Sequence, residues 1–255
     1  MMQLAREQFR AEGYAVLPNF LDGVELKMLR QECNVIVEHA FEQLVQHGNM
    51  DNNWEATQKG CVFETLLTKP SKVEGTDQQA YAAIRSQWPC DPAVCRLLFG
   101  PKIVTTLLHM GSDRLQHHVS LFNDQYIVKP PRCPQSGFAW HRDSDWCSPD
   151  VVCEHPGYLS LWCALDDMTA ENGCLHIWSS AGGTAQHPDM QPSTSGGHAV
   201  PVEAGTAVVM GDRLMHCSLP NSSNHTRRAW MPQFSQQPIL LRDTDCPVTL
   251  AVPLF

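Results

Sequence analysis

The chain has 255 residues, of which 43% are hydrophobic and 18% are charged, a composition typical of a globular protein and too apolar for a disordered one. Its 18 basic and 27 acidic residues give a formal net charge of −9, so no basic excess attracts a phosphate backbone and we expect no nucleic-acid partner. No run approaches the roughly 18 apolar residues of a membrane-spanning helix, and the N-terminus shows no signal-peptide core. We therefore expect no membrane partner and a cytoplasmic location.

The cysteines favour a reducing compartment. There are 11 of them, an odd number, scattered singly between Cys33 and Cys246 without any C-x-x-C pair. A disulfide framework is typical of short secreted chains with an even number of cysteines. We expect free, mostly buried thiols.

The N-terminal part of the chain has helical signals. Residues 2–12 predict a first helix, and Tyr14–Leu17 predict a short edge strand ahead of a proline. A longer helix is expected to begin after Asp22, where Glu25 three positions later completes a capping box, and to continue to about Gly48 as one apolar stripe.

A long polar stretch follows. Residues 49–76 predict a loop with one short apolar element at 61–67. Helical patterns then return at residues 78–88, after Asp91 as N-cap, and at 102–109. Residues 1–113 are thus expected to form a mostly helical support region.

Past residue 114 the period of the apolar residues changes to that of β-strands, interrupted by Pro, Gly, Asn and Ser clusters. Eight strands are predicted, at residues 115–129, 138–141, 158–166, 174–179, 199–203, 206–210, 215–219 and 227–234. Eight short strands suggest a double-sheet jelly roll with the helices packed on one sheet. We expect a single domain over residues 1–255, with a jelly-roll core at 114–236 and a C-terminal tail at 237–255.

Two His-x-Asp pairs are candidates for a metal site. His187 and Asp189 lie in a Pro-, Ser- and Gly-rich stretch without strand periodicity, which would not fix their geometry. His141 and Asp143 stand at the end of an apolar strand, where residues two apart point to one side. The second pair is therefore the predicted one.

A facial triad of two histidines and one carboxylate holds Fe(II) on one side and leaves three positions open. His216 is the best second histidine, because it lies in a short strand pattern four predicted strands after His141. His198 is a poor candidate, since it follows two glycines at the end of a flexible loop.

2-Oxoglutarate can chelate such an iron through its keto acid end only if a buried cation holds its distal carboxylate. Arg227 lies on the next predicted strand, and Ser218 shares a strand face with His216, so both could reach one carboxylate. Strand alternation places Arg227 with Met231 and Gln233 on the pocket side. Arg228 falls on the opposite, bulkier side.

These residues and five segments resemble the phytanoyl-CoA dioxygenase family of Fe(II)- and 2-oxoglutarate-dependent oxygenases. The segments are GYAVLPNFLDGVEL, YIVKPP, FAWHRD, LSLWCALDDMTAENGCLHIW and HCSLPNSSNHTRRAW. The resemblance implies a double-stranded β-helix core of the jelly-roll, cupin-like type, mainly β with packed N-terminal helices. It implies iron ligation by His141, Asp143 and His216, a distal-carboxylate site at Arg227 and Ser218, and cosubstrate-pocket roles for Gln125, Lys129 and Trp162.

The resulting hypothesis is a dioxygenase that uses Fe(II), O2 and 2-oxoglutarate as cosubstrate, with ascorbate as a supporting reductant. It would hydroxylate a C–H bond of a small organic or acyl substrate and release succinate and CO2. The carboxylate at Asp143 favours hydroxylation over halogenation, and the C-terminal PLF is not a peroxisomal signal. A monomer or a weak homo-oligomer is expected.

Two alternatives stay open at this point. A jelly-roll hydrolase could use His141, Asp143 and His216 on zinc, although Arg227 and Ser218 would then have no role. A protein that binds metal and 2-oxoglutarate without turnover is the other. His176 could also approach the iron or the substrate, and substrate contacts are expected from the loops at 49–76, 144–157 and 180–198.

Overall fold

The computed structural model describes residues 2–47, 54–57, 62–65, 77–86, 90–111, 118–148, 152, 157–178, 197–244 and 246–254. The helices in these ranges are α1 (Met2–Glu12), α2 (Gly23–His47), α3 (Gln78–Arg85), α4 (Pro92–Leu98) and α5 (Pro101–Met110). The strands are β1 (Tyr14–Leu17), β2 (Trp54–Thr57), β3 (Val62–Thr65), β4 (Ser120–Lys129), β5 (Phe138–His141), β6 (Tyr158–Ala164), β7 (Leu175–Ile177), β8 (His198–Val200), β9 (Ala207–Gly211), β10 (His216–Ser218), β11 (Arg227–Ser235) and β12 (Val252–Pro253).

The described N-terminal elements follow the sequence signals. The capping box of α2 is formed, since the Asp22 amide donates to Glu25 Oε2 and the Glu25 amide donates to Asp22 Oδ1, both at 2.9 Å. Asp91 caps α4 by accepting from the Ala93 amide at 2.8 Å, with Pro92 in the first turn. The predicted starts of both helices are confirmed.

Within the stretch 49–76, the short apolar element predicted at 61–67 is present as β3, whereas the loop prediction is wrong at Trp54–Thr57, which forms β2. Strands β2 and β3 form an antiparallel hairpin there, and β3 pairs with β4 through Val62 and Ile127. The other residues of this stretch lie outside the described ranges. The open edge of β4 supplies the hydrogen-bond partners, a tertiary contact that local polarity does not reveal.

The strands form two antiparallel sheets. The larger sheet has the order β1-β9-β6-β11-β4-β3-β2, with β12 also paired to β4, and the smaller sheet has the order β5-β10-β7-β8. Each of the eight strands predicted beyond residue 114 is present in the described residues, β5 with the predicted bounds and the others with shifted ends. The predicted jelly-roll, or double-stranded β-helix, fold is confirmed.

Apolar side chains fill two layers. One cluster joins α2, α4 and α5 to the outer face of the larger sheet, and a second fills the space between the sheets. The stretch Pro92–Met110 is long and apolar enough to cross a membrane by length and composition alone (19 residues, mean hydropathy 1.2). Gly100 divides it into α4 and α5, and Ile103 and Leu107 are buried in the first cluster. Packing against the core accounts for its apolar character.

The C-terminal tail predicted at 237–255 adds to the larger sheet. Strand β12 pairs with β4, and Leu250 and Leu254 are buried in the first cluster. The described cysteines are free thiols, as predicted, and burial raises the pKa of Cys90 and of Cys147 to about 12.

Candidate metal and cosubstrate site

His141, Asp143 and His216 converge between the two sheets. His141 ends β5 and lies opposite His216, the first residue of β10, in the antiparallel register. Asp143 opens a short 3₁₀ turn directly after β5. The donor atoms of the three side chains lie within 4.8 Å of one another, with Asp143 Oδ1 at 3.5 Å from His216 Nε2 and 3.8 Å from His141 Nε2. One metal ion can be shared by such a group.

Backbone contacts fix which imidazole nitrogen faces this group. His141 Nδ1 donates to the Ala139 carbonyl at 2.7 Å, and His216 Nδ1 donates to the Leu214 carbonyl at 2.9 Å. Each Nε2 is thereby left as the metal-facing acceptor. Burial lowers the pKa of His141 below its usual value, and the neighbouring His216 ring lowers it further, which keeps the ring neutral as metal ligation requires.

The turn that carries Asp143 is tied to the larger sheet. The Ser144 amide donates to the Asp212 carbonyl at 3.0 Å, and the Arg142 amide donates to Asp145 Oδ2 at 2.8 Å. These bonds hold the chain in place just after β5. The backbone position from which the Asp143 side chain reaches the two histidines is therefore fixed.

A cavity of about 590 Å³ opens beside the three residues. Its wall combines strands of both sheets, because β4, β6 and β11 meet β5, β7 and β10 around it. The wall contains the triad, four of the five expected cosubstrate residues, and a set of apolar side chains. Those apolar residues include Val62, Phe122, Ile127, Phe138, Leu175, Met210, Met231 and Val248.

Arg227 lies in this wall and is almost fully buried, with 1% of its surface exposed. Its Nη2 donates to the Gly173 carbonyl at 2.6 Å, and its guanidinium carbon lies 5.1 Å from the centroid of the Trp162 ring. Arg228 points to the other side of the sheet and pairs with Asp166 at 2.7 Å. The strand alternation predicted for β11 agrees with this placement.

Four expected cosubstrate residues, Gln125, Trp162, Ser218 and Arg227, line the same cavity as the triad. Lys129 does not line the cavity, because its buried ammonium group lies behind Ser218. It donates to Ser218 Oγ at 2.7 Å and to the Leu219 carbonyl at 2.6 Å. Its contact with the cavity therefore runs through the serine hydroxyl.

The other candidate histidines lie apart from the triad. His198 contacts the hydroxyl of Tyr14, with Nε2 at 3.1 Å. His176 is on β7 next to Leu175, which lines the cavity, and strand alternation turns His176 to the opposite face. His187 and Asp189 lie outside the described residues. Of the loops expected to contact substrate, those at 49–76 and 144–157 reach the cavity through Val62 and Trp146.

Sequence reasoning missed two polar residues that touch the Asp143 carboxylate, Ser160 on β6 and Gln233 on β11. Gln233 had a detectable signal, since it shares the alternating face of Arg227 and is polar where a buried apolar residue is expected. Ser160 had none, because one serine in an apolar strand is compatible with simple packing.

The donor set fits a non-haem iron centre. Two imidazole nitrogens and one carboxylate oxygen on one side of the cavity are the ligands of the facial triad, which leaves coordination positions open on the cavity side. The buried guanidinium of Arg227 in the same wall fits a dicarboxylate that chelates this metal. The fold and the site thus define a class, a double-stranded β-helix protein with a mononuclear metal centre.

Comparisons with solved structures agree with this fold. The non-haem α-ketoglutarate-dependent epimerase SnoN from nogalamycin biosynthesis superposes with a TM-score of 0.64 at 17% identity, covering 100% of this chain and 96% of SnoN. EvdO2 from Micromonospora carbonacea var. aurantiaca, complexed with 2-oxoglutarate, superposes with a TM-score of 0.57 at 22% identity, covering 96% of this chain and 93% of EvdO2. EvdMO1 superposes with a TM-score of 0.60 at 20% identity. The match covers 92% of this chain, and this chain spans about half the length of EvdMO1 (50%).

The family model of phytanoyl-CoA dioxygenase (PhyH) matches residues 9–229, and the chain belongs to this family. It is therefore an Fe(II)- and 2-oxoglutarate-dependent oxygenase, as the sequence resemblance implies. No curated protein sequence matches the chain.

Proposed function

We propose that the chain hydroxylates a C–H bond of a small organic substrate, with iron held by His141, Asp143 and His216. The observation that carries this proposal is one cavity lined both by the triad and by Arg227. When bound, Fe(II) supplies the oxidative chemistry, in which 2-oxoglutarate and O2 give succinate and CO2 and the second oxygen atom enters the substrate C–H bond.

The protein's part begins with the orientation of the cosubstrate. The Arg227 guanidinium binds the distal carboxylate as a charge-assisted pair in a site shielded from water. Because Lys129 donates to Ser218 Oγ, the serine oxygen is occupied as an acceptor and its hydrogen is directed to the same carboxylate. Trp162 packs against Arg227, which restricts the guanidinium to one orientation.

The wall around these residues supports a small, mainly apolar substrate without charge. Among the described lining residues, Arg227 is the one lysine or arginine, and the cosubstrate uses it. The remaining wall has apolar side chains together with neutral polar groups, among them Asn123, Tyr158 and Thr249. An acyl-coenzyme A, which carries several phosphate charges, has no matching cation among these described residues, so the free organic molecule is favoured.

The test is anaerobic addition of Fe(II) and then 2-oxoglutarate to the metal-free protein. We expect a visible metal-to-ligand charge-transfer band in the native protein and none in the His216→Ala variant. No band at saturating concentrations of both components would contradict the proposal and favour the zinc hydrolase. Admission of O2 then distinguishes an enzyme from a protein that only binds, since succinate accumulates only if 2-oxoglutarate is turned over.

A further inference from the structure

A chain of hydrogen bonds runs from the cavity wall to the carboxylate of Asp143. Asn123 Nδ2 donates to Gln233 Oε1 at 3.1 Å, and Gln233 Nε2 donates to Ser160 Oγ at 2.8 Å. The Ser160 hydroxyl donates to Asp143 Oδ2 at 2.6 Å, and Gln233 Nε2 also lies 3.3 Å from that oxygen. Every donor in the series points toward the carboxylate, so each bond polarises the next in the same direction.

The sheet register builds this chain. Asn123, Gln233 and Ser160 occupy directly opposed positions on the neighbouring strands β4, β11 and β6. The three side chains therefore stand in one row on the cavity face, and all three are buried. A register shift follows Gln233, where Phe122 is the extra residue of β4. This β-bulge turns both Phe122 and Asn123 to the cavity, which the regular alternation would not do.

The two oxygens of Asp143 have different surroundings. Oδ2 accepts the hydrogen bonds of Ser160 and Gln233, whereas Oδ1 lies nearest to the metal-facing nitrogens of the two histidines. A carboxylate held in this way binds a metal through one oxygen. If it could rotate and bind through both, it would take one of the coordination positions that the cosubstrate and O2 need.

We propose that Ser160 and Gln233 are positioning residues that keep Asp143 a one-oxygen metal ligand, with Asn123 holding the amide of Gln233 from the cavity wall. The proposal rests on the proposed function, because it takes the triad as the metal site. Hydrogen bonds of this kind to a ligand residue change metal affinity by about 10- to 100-fold when they are removed.

The experiment measures Co(II) binding to the metal-free protein, using the visible absorption of Co(II), which also reports its coordination number. We expect Ser160→Ala to bind Co(II) about 10- to 100-fold more weakly than the native protein, with a changed absorption band. Ser235→Ala is the matched control, since Ser235 is equally buried, lies two residues from Gln233 on β11, and bonds the Gln237 carbonyl instead. Its Co(II) affinity should stay within about threefold of native, and urea midpoints of the two metal-free variants should agree.

Gln233→Met keeps the length of the side chain and removes both donors, and it decides the question if Ser160→Ala does not fold. We expect about tenfold weaker Co(II) binding for it, and a double variant with a loss smaller than the product of the two single losses, because both residues act on one oxygen. Co(II) affinity within threefold of native in both single variants would overturn the positioning proposal alone. Absence of Co(II) binding by the native protein, or full binding by His216→Ala, would overturn the proposed function as well.

Discussion

Both faces of the larger sheet carry buried charged residues. On one face they form ion pairs with one another, and on the other they line a cavity. On the face toward the helices, Arg85 of α3 forms ion pairs with Glu32 of α2 and Asp124 of β4. Tyr126 donates to Glu32 Oε1 and Trp230 donates to Asp124 Oδ1, each at 2.7 Å. These charges have partners within the protein, and the cluster joins two helices to two strands.

On the cavity face, the charges lie next to open space. Asp143 directs one oxygen to the two histidines, and Arg227 lies in the wall of the same cavity. Asp143 accepts from Ser160 and Arg227 donates to Gly173, and a metal ion and a dicarboxylate are the fitting further partners on the cavity side. The comparison indicates that the helix-facing cluster contributes to stability, whereas the cavity-facing groups contribute to chemistry and can be replaced with less effect on the fold.

The largest expected effect is on turnover. His141→Ala, Asp143→Ala and His216→Ala should each abolish 2-oxoglutarate turnover and leave unfolding cooperative, because each removes a metal ligand from the cavity face. Succinate formation and urea unfolding measure the two properties. His187→Ala and Asp189→Ala are the controls and should change little. Equal loss of turnover and of bound iron in these controls would contradict the choice of triad.

The next effect is on stability. Arg85→Ala leaves Glu32 and Asp124 as buried carboxylates without their shared cation and should lower the free energy of unfolding by about 3–5 kcal/mol. Lys102→Ala is the control, because the Lys102–Glu25 pair is partly exposed and should cost less than about 1 kcal/mol. Urea titration measures both. Similar values for the two variants would remove the distinction between the helix-facing cluster and an ordinary surface pair.

A smaller effect is expected at Gly173, where backbone and cosubstrate site meet. Its φ of +79° disfavours other residues, and a Cβ there would lie 2.1 Å from the Leu219 carbonyl oxygen. Gly157 has the same φ, but its nearest neighbour would lie at 3.8 Å. Gly157→Ala should therefore cost about 1–2 kcal/mol of unfolding free energy, and Gly173→Ala about 1–3 kcal/mol more from crowding. Equal losses would show that the Leu219 segment moves aside freely.

Local patterns predicted much of the fold. The capping box at Asp22 and Glu25 located α2, and the period of two placed His141, Asp143 and Arg227 on the faces where the structure has them. These signals work because each depends on residues close together in sequence. The jelly roll followed from the number and spacing of such strands.

Features that depend on long-range pairing could not be predicted. The hairpin of β2 and β3 depends on the edge of β4, and the partners of Arg85 come from segments far away in the chain. The Phe122 bulge breaks the alternation on which sequence reasoning relies. The placement of Lys129 behind Ser218 likewise depends on two strands that pack together only in the folded protein.

The most direct measurement is a 2-oxoglutarate titration of two iron-loaded variants. Their substitutions are at adjacent positions of β11, and the two replaced side chains lie on opposite faces of the larger sheet. Arg227→Ala should raise the required 2-oxoglutarate concentration at least tenfold with iron still bound, since loss of a buried charge contact costs roughly 2–5 kcal/mol. Arg228→Ala, which breaks the pair with Asp166 on the helix-facing side, should shift it by less than about threefold. A larger effect of Arg228→Ala would contradict the account and place the cosubstrate anchor elsewhere.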